Sequence, residues 1–234
     1  MNFSTIKKVA AFIALAYILI QTWQWYVYEQ FGAPANTQEE MMQGHHILHV
    51  SRSWLMLIAI FAMMILNIAI CYVASNISRF WAWVAFVGYF AFFMLEIALR
   101  SVELFYVQLQ LPAEALKADA TALQGITEKF STFYSIQHAM YFPLIFSTTI
   151  AYVTLFFLFP SKPKVFMIIK IVMGLNVLRS LWRIGADFLG IKWLQGSLYN
   201  DLYLPLVVLL YGLTAWWLFR LKENDLAKIV HQTA

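Results

Sequence analysis

AFFMLEIALRSVELFYV, residues 91–107, is apolar enough to sit in lipid yet carries Glu96, Arg100 and Glu103. Offsets of four and three place these charges within roughly 60° of one another on a helix. The stretch therefore reads as a membrane-crossing helix with a charged stripe. Each such charge costs about 2.5–3.5 kcal/mol on insertion scales, so the stripe has to face protein or a water-filled space and find partners there. Those partners must come from other spans.

Composition supplies the spans. Of 234 residues, 62% are hydrophobic and 12% charged, the balance of a polytopic membrane protein and not of a soluble domain. A membrane helix takes about 20 residues, so six spans and their connectors use nearly the whole chain, 1–234, as a single domain. The expected fold is an all-α bundle of six transmembrane helices, at 9–26, 53–74, 80–107, 133–159, 165–186 and 202–219. Cys71 is the one cysteine, which excludes an intrachain disulfide and a cysteine-based metal site. The net charge of +4 is spread over two membrane sides and indicates no nucleic-acid partner.

The first apolar run follows Lys7 and Lys8 and ends in Gln21-Thr22-Trp23-Gln24-Trp25-Tyr26. That ending is too bulky for signal cleavage, so the run is expected to stay as an anchor, with Trp23, Trp25, Tyr26 and Tyr28 in an aromatic belt. Phe80-Trp81-Ala82-Trp83 and Trp216-Trp217 read as belts at other interfaces. The third span exceeds what a bilayer needs and should tilt or project. The connector 108–132 is expected to hold one short surface helix opening at Pro112-Ala113-Glu114, and Pro143 is a kink candidate in the fourth span. Small residues are scattered, without paired glycines four apart, and announce no dimer motif. A homo-oligomer is compatible with the sequence but not signalled by it.

Lys7, Lys8, Arg79, Lys162, Lys164, Arg220, Lys222 and Lys228 fall on one side; Arg52, Lys117, Lys129 and Lys192 fall on the other among many acids. The positive-inside rule then expects both termini in the cytoplasm. At about 1.5 Å per residue, Glu96 sits roughly 21 Å up the third span and Arg100 about 27 Å. Arg179 and Arg183 reach the same two levels on the fifth span, where Asn176, Arg179, Arg183 and Asp187 share one face. His138, descending on the fourth span, meets them. Gln21 and Gln24 approach from the first span, while Arg52 and Asp201 open the second and sixth from outside. Two readings follow. Three acids balance three arginines, which suits a structural ion-pair network between the third and fifth spans. Alternatively, Arg179 and Arg183 hold a small anionic or amphipathic ligand, a lipid head group or organic acid, because the planar guanidinium suits carboxylate or phosphate. Glu96, Arg100 and Glu103 would then set their geometry and His138 would carry a proton.

His45-His46-Ile47-Leu48-His49 is the one metal-like signature. Were the segment helical, His45 and His49 would share a face, and His46, Glu39, Glu40 or His138 could complete a site for zinc or another transition metal. That arrangement would make the protein a membrane metalloenzyme. Haem held by His49 and His138 fits less well, because no histidine sits mid-span opposite another.

The order of these features resembles a large family of uncharacterised bacterial inner-membrane proteins of about this length. The shared layout is a basic start, a polar outer connector, a third span with embedded charge, the Tyr134-Ser135-Ile136-Gln137-His138 opening of the fourth span, a basic turn and two closing spans. The resemblance implies six helices in a bacterial inner membrane and transfers no catalytic residue.

Overall fold

The computed structural model describes residues 2–195 and 197–226, with backbone alone for 197–200. Lys228 and part of the connector before the last span lie outside the described residues. Among the described residues the principal α-helices are α1 (Phe3–Glu29), α2 (Thr37–Gly44), α3 (Ile47–Ser75), α4 (Arg79–Ser101), α5 (Leu111–Ala115), α6 (Ala120–Leu158), α7 (Lys164–Arg183) and α8 (Ser197–Arg220). Two π-helical segments, Val102–Gln110 and Ile184–Phe188, continue α4 and α7. Among the described residues, six helical stretches are long and apolar enough to cross a membrane.

Those six close into a ring. Each span packs on its neighbours in chain order, α1 on α3, α3 on α4, α4 on α6, α6 on α7 and α7 on α8, and α8 returns to α1. The start of α1 and the end of α8 lie together, where the Lys7 ammonium donates to the Leu221 carbonyl. This terminal end is filled by a continuous apolar core that takes side chains from all six spans. Phe159, Phe166 and Trp217 cluster in it, with ring centroids 5.9–6.5 Å apart. Trp217, expected in an interfacial belt, is fully buried, whereas Trp216 next to it is exposed. A helix turns successive residues to different faces, and here the ring interior claims one of the pair.

Small residues bring the spans close. Ala10, Ala11, Ala14, Ala74, Ala85 and Ala151 are fully buried, and a Cβ at Gly88 would lie 2.6 Å from the Ser147 carbonyl oxygen on α6. Close backbone approach of this kind is how helices associate where lipid removes the hydrophobic drive between them.

At the other end the structure departs from the expected connectors. The short helix expected in 108–132 forms as α5, with Pro112 in its first turn, but it is continuous with the third span and its first two residues are buried. The third span runs on through the first π segment and α5 to Ala115, 37 residues in all, and only four residues separate it from α6. At about 1.5 Å per residue such a stretch reaches roughly 55 Å, well beyond a hydrocarbon core of about 30 Å. Asp119 starts α6 by accepting from the Ala122 N–H at 2.8 Å, an N-cap. Ile126, Phe130 and Phe133 then pack on Val107 and Leu111, and the buried apolar cluster is completed by Met41. Met41 belongs to α2, a helix inside the connector read as merely polar. Its Asn36 cap accepts from Glu39 N–H at 2.9 Å, and the Glu39 carboxylate accepts from Ala35 N–H at 2.7 Å. This pairing closely parallels a capping box. Pro143 sits inside one uninterrupted α6.

Candidate functional site

Helix α2 and the segment before it roof a cavity of about 570 Å³. Its walls come from most of the ring. Helix α1 contributes Gln24 and Tyr28, α3 contributes His49 and Arg52, and the third span contributes Arg100, Glu103 and Gln108. From α6 come Tyr134, Gln137 and Tyr141, and from α7 and α8 come Arg183 and Tyr203. Tyr134, Gln137 and Tyr141 are spaced by three and four, one face of a helix. A second recess of about 420 Å³, with Gln21 and Trp25 in its wall, shares Gln24, Tyr28 and Tyr203 with the first.

The charged stripe finds its partners in a single alternating chain. Arg52 Nη2 donates to Glu103 Oε1 at 3.2 Å, Arg100 Nη1 donates to Glu103 Oε2 at 2.7 Å, and Arg100 Nε donates to Glu96 Oε1 at 2.9 Å. Arg52, Glu103 and Glu96 are all buried. Arg52 also donates to the Tyr28 hydroxyl and lies over its ring, 4.7 Å from the centroid. Two cations and two carboxylates leave the chain neutral, which is what tolerates its burial. Arg52 is the member that sequence reasoning left out. In the sequence it stands at the outer opening of the second span with no carboxylate partner assigned, yet the end of α3 that carries it meets the end of the third span that carries Glu103.

The first π segment decides which groups reach the cavity. Pairing of N–H groups five residues back, in place of four, brings residues five apart onto one face. Glu103 and Gln108 thereby both line the cavity. Pro112 contributes at the end of this segment. It has no N–H, so the α-pattern donor to the Gln108 carbonyl is missing, and His45 Nδ1 stands 2.7 Å from that oxygen. A carbonyl only accepts, so His45 carries its proton on Nδ1. This contact ties the end of α2 to the third span and holds the roof down.

The expected site residues divide. Arg100, Glu103 and Arg183 line the cavity; Glu96, Arg179 and His138 do not. Glu96 sits behind Arg100 as its second carboxylate. Arg183 donates to Asp187 at 3.3 Å and lies 5.6 Å from the Tyr141 ring centroid. Arg179 interacts electrostatically with Tyr17 and Tyr211, deeper in the ring. His138 is exposed and stacks on Phe188, centroids 5.2 Å apart. Asn176 is buried but donates to its own backbone at Val172 O, 3.0 Å away.

The three clustered histidines also separate. The expected shared helical face for His45 and His49 does not form, because His45 ends α2 while His46 caps α3, its Nδ1 accepting from Leu48 N–H at 3.3 Å. His49 packs against Phe31, centroids 4.5 Å apart. Among the described residues no group of three or more His, Cys, Asp or Glu side chains is arranged to hold a metal ion.

Three buried polar atoms around the cavity lack a hydrogen-bond partner among the described residues: Arg52 Nε, Gln24 Oε1 and Gln108 Oε1. Buried groups of this kind are ordinarily satisfied, and all three residues line the same space. The chain matches no family model, no curated protein and no solved structure, so no residue here takes a role from a relative.

Proposed function

We propose that this is an integral membrane protein that binds a small anionic ligand, an organic acid or the polar head of an amphiphile, in the roofed cavity, for transport, sensing or lipid handling. The observation that carries the reading is the set of unpartnered buried polar atoms on Arg52, Gln24 and Gln108 around a space of about 570 Å³. A polar network serving packing alone would satisfy its own members. The lining offers Arg52, Arg100 and Arg183 against Glu40 and Glu103, while Glu96 and Asp187 hold their arginines from outside it. An acidic group suits Arg52 and Arg183. Hydroxyl groups on the same ligand suit the glutamine amides, which present a donor or an acceptor. The connectors at the end opposite the cavity hold Lys7, Lys8, Arg79, Lys162, Lys164, Arg220 and Lys222, so by the positive-inside rule the cavity opens to the extracytoplasmic side.

The test is a thermal-shift series on detergent-purified protein with succinate, glycerol 3-phosphate and inorganic phosphate, beside mass spectrometry of solvent extracts. One of the probes is expected to raise the unfolding temperature. Arg183→Gln and Gln24→Leu should abolish that rise while leaving the ligand-free value near that of the native protein. If no probe stabilises and the extract holds bulk phospholipid alone, the cavity is water-filled and the ion-pair chain serves packing.

A further inference from the structure

At the terminal end of the bundle, far from the cavity, α3 and α4 leave an open groove of about 470 Å³ between them. Ile68, Cys71 and Phe86 line its length, Tyr72 and Trp83 flank it, and Arg79 is the one charged residue in its wall. Ile68 to Ser75 on α3 and Arg79 to Phe86 on α4 each cover about 10 Å. Arg79 is exposed and forms no ion pair among the described residues. The turn leading to it, Ser75-Asn76-Ile77-Ser78, contains no acid. Phe80, Trp81 and Trp83 are exposed beside it, the residue types that settle at the headgroup level of a bilayer. Given six spanning helices, this groove faces lipid, and an empty groove would forfeit the dispersion contacts of its lining.

We propose that the groove is a binding site for one anionic phospholipid of the adjoining leaflet, with an acyl chain along Ile68, Cys71 and Phe86 and the phosphate at Arg79. Charge complementarity selects the head group. A basic pocket between membrane helices is a recognised means of holding anionic lipid on the cytoplasmic side, and apart from the uncharged Tyr72 and Ser75 hydroxyls the rest of the lining is apolar, so discrimination by head-group charge falls to Arg79. The site is independent of the cavity and survives if the cavity proves to hold only water.

The experiment is native mass spectrometry of the full chain titrated with phosphatidylglycerol and phosphatidylcholine of identical acyl chains. The native protein is expected to retain the anionic lipid about fivefold more tightly, the contribution of one basic residue near a membrane surface. Arg79→Ala should remove that preference and Arg79→Lys should keep it. Lys162→Ala, at the same end but outside the groove, should leave it unchanged, and Ile68→Trp should lower retention of both lipids by filling the groove. Equal retention of the two lipids by the native protein would overturn the proposal. So would equal losses in Arg79→Ala and Lys162→Ala, which signal a diffuse basic surface, or an Ile68→Trp protein that retains lipid as before.

Discussion

The two ends of this helix ring solve the same packing problem with opposite chemistry. At the terminal end, alanines and Gly88 let backbones approach, and Phe159, Phe166 and Trp217 fill what remains. At the cavity end the spans are held by the Arg52–Glu103–Arg100–Glu96 chain and by α2 resting on the projecting hairpin. Close packing leaves no room for a guest inside the ring at this end. A chain of ion pairs holds helices at arm's length, and Arg52 Nε, Gln24 Oε1 and Gln108 Oε1 are left without partners around the space it keeps open, whereas at the apolar end Trp217 Nε1 lacks one within close packing. The lesson is that the apolar end specifies the ring, whereas the polar end creates space at the cost of burying charge.

The comparison breaks hardest at Glu103, which bridges two arginines. Glu103→Ala leaves Arg52 buried without its carboxylate and is expected to cost about 3–5 kcal/mol, read as a large fall in the thermal unfolding temperature in detergent. Ordinary stability after this change would show that the chain is not what holds the cavity end. Next comes Gly88→Ala, whose new Cβ meets the Ser147 carbonyl oxygen. Overpacking of this kind costs about 1–3 kcal/mol, and the loss should persist with a ligand bound, because the α4–α6 contact lies away from the cavity. A smaller effect is expected from His45→Phe. It removes the contact to the Gln108 carbonyl and about 1 kcal/mol of hydrogen bonding, and hydrogen exchange across residues 37–46 should quicken while exchange at the terminal end stays as it was. Arg183→Gln sharpens the contrast with the least disturbance. Its pair with Asp187 is a third exposed, so the change is worth about 0–1 kcal/mol of stability, yet the shift produced by an acidic probe should disappear.

Much of this architecture was legible in the chain. Six apolar runs separated by polar connectors announce six spans, and Glu96, Arg100 and Glu103 declare themselves because their offsets place them on one face. The cavity was less legible. Gln108 falls off the face of Glu103 at 3.6 residues per turn, and nothing in the composition of residues 102–110 signals π winding. Arg52 looks like any cation at the mouth of a span until the third span is seen to end beside it. His138 shares a level with the arginines but turns outward onto Phe188, since a depth estimate says nothing about azimuth. The histidine cluster fails for a related reason: a helix boundary between His45 and His46 places neighbours in sequence on different elements.

The lengths of the apolar runs and the placement of charge by themselves determined the fold class, the number of helices long and apolar enough to cross a membrane and the end of the bundle at which polar groups gather, because these follow from the cost that backbone and charge would meet in lipid. Which arginine meets which carboxylate, where the cavity lies and which glutamines face it were decided only by the tertiary structure. Those depend on how each helix is rotated about its axis and where its winding changes, and rotation is set by the packing of side chains from distant spans.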